Sequence, residues 1–175
     1  MKKISFLLLL VLMSCSYNKV FVDFDSSLNT LNFKTYQFYE DIGKGLNELD
    51  IRRVEKSINS YLKQNGFQES ENPDFYINFI SNKSLSSNSN NIGIGIGGRR
   101  GGISLSGGIP IGAKKVNEEF VIELVNAKSD KIFWEGTLVS KISERISAEK
   151  KEIHYNEVVT KILTEFYKQK KSSKN

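Results

Sequence analysis

The residues able to do chemistry in this chain are few, and their neighbours limit what each can do. Cys15 is the only cysteine and His154 the only histidine among 175 residues. The thiol therefore has no intrachain partner for a disulfide, and the fold must be held by packing alone. His154, bordered by Glu152, Asn156 and Glu157, would need a nucleophile and an orienting acid to act as a general base; in that setting it reads as a surface side chain. Asp23 and Asp25 flank Phe24, a spacing that sets two carboxylates on one strand face, as acid–base glycoside chemistry requires. A solvated strand face explains them more simply. Gly93-Ile94-Gly95-Ile96-Gly97-Gly98 matches the dinucleotide fingerprint formally, but that mechanism needs the glycines to open a helix onto a phosphate. Here isoleucines go on alternating and no helical pattern follows. Trp134 lies in an alternating run, where a core role is simpler than ligand stacking. One histidine and one cysteine leave a structural zinc site without ligands, and no Asp-rich calcium loop occurs. No catalytic set, metal or cofactor is expected, and the protein reads as a non-enzyme.

The context of Cys15 is more informative. Lys2 and Lys3 are followed by the apolar run Phe6 to Met13, then Ser14 and Cys15. That order is the pattern of an export leader. The run is about half of the roughly 20 apolar residues a spanning helix needs. Leu12-Met13-Ser14-Cys15 resembles the bacterial lipobox, in which the cysteine is acylated, the preceding peptide removed and the new amino terminus acylated as well. The expected organisation is a signal peptide over residues 1–14, a lipidated tether over 15–19, one folded domain over 20–170 and a disordered basic tail over 171–175. Ser16, rather than Asp, follows the cleavage point; under the proteobacterial sorting rule this implies the outer membrane.

The chain carries 25 basic and 20 acidic side chains, a formal charge of +5. The excess sits at Lys168, Lys170, Lys171 and Lys174, at Arg99-Arg100 and at Lys114-Lys115. No basic face interleaved with aromatics emerges, which excludes nucleic acid as the expected partner.

These residues must be positioned by elements that the apolar pattern locates. Lys19 to Asp25 alternates with Val20, Val22 and Phe24 on one face, and Phe33 to Tyr39 alternates again, so both are predicted strands. Glu48 to Asn65 is a predicted helix: Ile51, Val54, Ile58, Tyr61 and Leu62 recur every three to four residues, Asn47 caps its start and Gly66 ends it. Asn72-Pro73 precedes a strand over Phe75 to Ile80. Ser81 to Asn91 is rich in Ser and Asn and reads as a loop. Within the insertion 81–112, Ile92 to Ile111 reads as a glycine-rich β-ribbon, with Arg99 and Arg100 at its tip as candidate contacts for a membrane or partner. Glu119–Val125 and Lys131–Val139, joined by turn residues, form a hairpin. A final amphipathic helix spans Ala148 to Gln169. The sum is a single-domain α+β fold, with a mostly antiparallel or mixed sheet and two helices packed on one face.

Three blocks of this pattern resemble the bacterial lipoprotein family of domain of unknown function 4136. They are Val22-Asp23-Phe24-Asp25 with Phe33-Lys34-Thr35-Tyr36; Leu49-Asp50-Ile51-Arg52-Arg53 through Gly66-Phe67 to Asn72-Pro73-Asp74-Phe75; and Phe120-Val121-Ile122-Glu123-Leu124 with Phe133-Trp134-Glu135-Gly136. The resemblance implies an envelope lipoprotein with an α+β domain, and it carries over no catalytic residue. The functional expectation is a lipid-anchored protein at the periplasmic face of the outer membrane, bound to the membrane through the lipid on Cys15 and acting by binding or assembly, with an envelope protein as partner. Two alternatives are a lipid-binding accessory of an envelope transport system, which predicts an apolar cavity between sheet and helices, and an envelope hydrolase with a cleft lined by Asp23, Asp25 or His154.

Overall fold

Alternation of apolar and polar residues sorts the folded chain into a buried and a bare sheet face. The computed structural model describes residues 19–85 and 115–172. Within them the order is β1 (Val20–Phe24), β2 (Thr35–Phe38), α1 (Glu48–Gln64), β3 (Gln68–Glu69), β4 (Phe75–Leu85), β5 (Lys115–Asn126), β6 (Lys131–Ser143) and α2 (Ala148–Ser172). The strands form one sheet in the order β1-β6-β5-β4-β2-β3. β4, β5, β6 and β1 pair antiparallel, whereas β2 runs parallel to both β4 and β3. The single-domain α+β architecture with a mixed sheet is as expected.

One sheet face is apolar. Phe75, Ile77 and Phe79 of β4, Phe120, Ile122 and Leu124 of β5, and Trp134 and Leu138 of β6 meet Val54, Ile58 and Leu62 of α1 and Tyr155, Val159, Ile162, Leu163 and Phe166 of α2 in one core. Full burial of each such side chain contributes roughly 1.5–3 kcal/mol. This shared core places both helices on the same face. α1 starts where Asn47 accepts the backbone N–H of Asp50 through its side chain, and the chain leaves the helix through Gly66 at φ +85°, a conformation other residues rarely adopt. At the β5–β6 turn, Asn126 Oδ1 accepts the N–H groups of Lys128 and Ser129.

The structure corrects two boundaries. The Ser/Asn segment is not a loop from Ser81: β4 continues to Leu85, pairing Ser81 to Leu85 with Phe120 to Val116. Ladder hydrogen bonds to β5 hold this polar stretch extended, a tertiary effect that outweighs composition. α2 also runs to Ser172, so the tail does not begin at 171; the Lys171 ammonium sits 4.6 Å from the Tyr167 ring centre. The glycine-rich ribbon, Cys15 and the leader lie outside the described residues.

Candidate binding face and a buried ion pair

The sheet face away from the helices, bare in that no described helix covers it, is assembled by register. Phe21 lies opposite Thr137, Thr137 opposite Val121, and Val121 opposite Ile80, which makes a row of apolar and β-branched side chains across β1, β6, β5 and β4. Phe21 is 58 % exposed, and Val139 and Ile132 are exposed on the same face. The next row is acidic: Asp23 lies opposite Glu135, and Glu135 opposite Glu123. Like charges directly opposed across a sheet repel, so this row is an unfavourable arrangement for the isolated domain. Asn78 Nδ2 donates to Glu123 at 2.8 Å, and at the end of the face Tyr39 stacks on Tyr76 with ring centres 5.0 Å apart while its hydroxyl donates to Asp130. Among the described residues, no group of three His, Asp or Glu side chains is placed to hold a metal ion.

On the opposite face, polar side chains gather around α2. Glu118 of β5 is wholly buried. It accepts from Ser81 Oγ at 2.8 Å and pairs with His154 Nε2 at 2.5 Å, with Lys83 Nζ at 3.5 Å. Burial alone would raise the Glu118 pKa; the hydrogen bonds from His154 and Ser81 and the charges of His154 and Lys83 outweigh it and leave the carboxyl below its ordinary value. A second buried carboxylate, Asp50, pairs with Lys151 and Arg53 at 2.7 Å each, and it too is lowered, these partners together with Asn47 overcoming burial. His154 is thus not the surface residue its neighbours in sequence suggest: its side chain is 15 % exposed and engaged with Glu118. Its partner lies 36 residues away in sequence, and only the packing of α2 on β5 joins them.

Asp23 and Asp25 are exposed at the end of β1; Asp25 accepts from Ser27 N and Oγ, and these bonds hold its carboxyl below the usual range. Neither aspartate approaches His154 through a hydrogen bond or ion pair in the structure. Trp134 is core, as expected; it packs against Phe166 at 5.3 Å and donates through Nε1 to Gln169. A cleft of about 120 Å³ lies beside it, lined among others by Phe24, Asp25, Leu28, Phe166 and Lys170. That is well under the roughly 300 Å³ at which ligand pockets begin; a more open depression of about 360 Å³ is lined by Asp23, Phe24, Asp25, Ile132 and Glu135. The space between sheet and helices is filled by core side chains. Arg99 and Arg100 lie outside the described residues.

An open six-stranded sheet, with two helices on one face and a bare face on the other, defines a two-layer α+β domain. Residues 20–166 match the family described as Domain of unknown function (DUF4136), and the chain belongs to that family. No curated protein matches it. Among solved structures it is similar to a PDZ domain protein from Parabacteroides distasonis (TM-score 0.54, 14 % identity), with 94 % of this chain covering only 40 % of that one. It is also similar to the PelC dodecamer from Paraburkholderia phytofirmans (TM-score 0.50, 9 % identity, 84 % of this chain and 96 % of that one). A third is lipoprotein GNA1162 from Neisseria meningitidis (TM-score 0.44, 8 % identity, 75 % and 99 %). At these identities the likeness is one of fold.

Proposed function

We propose that this protein is a lipid-anchored envelope protein, held by Cys15 at the periplasmic face of the outer membrane, and that it works by binding or assembly rather than by catalysis. The observation that carries this reading is the bare sheet face: an apolar row from Ile80 to Phe21 beside the carboxylates Glu123, Glu135 and Asp23. Within and beside that row Phe21, Ile132 and Val139 are exposed while Val121 is buried; exposed apolar side chains rimmed by charge suit a protein partner, here one that presents an apolar ridge next to basic side chains, which would also relieve the opposed carboxylates. The acidic row disfavours nucleic acid on this face. Of the residues a hydrolase would draw on, His154 is engaged with Glu118 beneath α2, and neither Asp23 nor Asp25 reaches it. PelC, of similar fold, is a dodecamer, so assembly is within the reach of this architecture.

Lipidation draws support from position. The first described strand and the family match both begin at Val20, five residues after Cys15 in sequence. Cells fed an alkyne-bearing palmitate and fractionated into membranes test this. Wild type should take up label and sediment with the outer membrane, and Cys15→Ala should lose both. An unlabelled wild type, or a labelled Cys15→Ala, would overturn the anchor.

A further inference from the structure

Among the described residues β1 is an edge of the sheet, and no described strand pairs with its outer side. It carries three of the exposed large apolar side chains: Phe21, Val22 at 36 % and Phe24 at 49 % exposure. An edge of this kind is a template for another strand. We propose that β1 pairs antiparallel with β1 of a second copy of this chain, about a two-fold axis through Val22, to continue the sheet across both molecules.

The backbone sets which groups are available. Asp25 N–H donates to Phe133 O of β6, and in an antiparallel ladder alternate residues turn both their N–H and C=O to the same neighbour. Phe21 and Asp23 therefore face β6, while Val20, Val22 and Phe24 offer their backbone groups to the free edge. The Phe24 N–H is met there by its own neighbour, Asp23 Oδ1, at 2.8 Å, a local substitute for a strand partner.

The side chains select the partner. Full overlap of the five-residue strand with itself sets Val22 opposite Val22 and Val20 opposite Phe24, all on the helix face, because Val20 and Phe24 align with buried Leu138 and Trp134 of β6. Carried one residue past each end of the strand, the same register sets Lys19 opposite Asp25 of the second copy, twice by symmetry, with Asp23 diagonal to Lys19. Opposite charges so placed stabilise a pair of strands. A register moved to centre on Asp23 would oppose two aspartates instead. The pairing is isologous; it covers Phe24 and Val22 and joins the two bare faces into one. It does not require acylation of Cys15.

Strands of five residues make a small interface, below the size of stable complexes, so the test traps it covalently. In an antiparallel pair Val22 and its symmetry mate would stand about 5.5 Å apart between Cα atoms, inside the disulfide range. Full-length Val22→Cys, purified in detergent and mildly oxidised, should form a disulfide dimer at least tenfold faster than Ile153→Cys, an exposed position on α2. Adding Lys19→Asp should slow that crosslink several-fold, and adding Asp25→Lys to it should restore the rate. Equal rates at positions 22 and 153 would overturn the pairing, and a failure of the charge swap to restore the rate would overturn the register. A dimer made through Cys15 would appear equally in wild type, and would count against acylation of that thiol rather than against the pairing.

Discussion

Glu118 keeps its charge in the core because Ser81, His154 and Lys83 converge on it. Removal of one partner from a buried pair leaves an uncompensated charge, a loss worth roughly 3 kcal/mol or more. His154→Ala should lower the unfolding free energy at pH 7 by about that amount in urea titrations, and a change under about 0.5 kcal/mol would show the pair to be dispensable. The pH dependence has a definite sign. Glu118 and Asp50 titrate below their ordinary values of 4.5 and 3.8 in the folded state, so the unfolded chain binds more protons as acid is added. Their stabilising contribution is complete above the unfolded values and is lost as pH falls below about 4.5 through the depressed folded ones. Urea midpoints measured from pH 7 to pH 3 should drop more steeply for wild type than for Glu118→Gln. None of this was legible in the sequence, because Glu118 and His154 belong to separate elements and look like ordinary surface residues.

Elements whose logic is local were legible, and those that depend on register were not. α1 was readable because its cap, its apolar stripe and its glycine stop are all within a few residues of the helix. The hairpin β5–β6 was readable from alternation and its turn residues. The extension of β4 through Leu85 was not, since only the facing residues of β5 make that segment a strand. The bare-face row was hidden for the same reason: Phe21 and Ile80 are 59 residues apart and are aligned by three strand registers. Glycine supplies a test at this scale. A Cβ on Gly136 would stand 2.4 Å from the Trp134 ring and 2.6 Å from Ile162 of α2, so the Trp-Glu-Gly turn of phrase in β6 is a packing requirement: the indole folds over the glycine beneath the helix. Gly136→Ala should cost about 1–3 kcal/mol through overpacking. Gly45→Ala should be worse, because it adds a Cβ 1.9 Å from the Ser81 carbonyl at φ +86°. Thermal unfolding of both variants checks the order; a Gly136→Ala protein as stable as wild type would refute this packing.

At the scale of the whole molecule, one sheet face packs against both helices, and the other, which no described helix covers, is the face proposed for contact. All the buried aromatics of the core lie between sheet and helices, and β1, which begins at Val20, needs nothing before it for its pairing with β6. Folding should therefore be independent of the anchor: Cys15→Ala should melt within about 2 °C of wild type, and a form that fails to fold would contradict this division. The most direct measurement is photo-crosslinking in cells from a probe at Thr137, in the middle of the bare face, compared with a probe at Ile153 on α2, each in wild type and in Cys15→Ala. The expected result is a discrete protein adduct in the outer-membrane fraction from Thr137 alone, lost with Cys15→Ala. No adduct from Thr137, or the same adduct from Ile153, would contradict the assignment of this face as the binding surface.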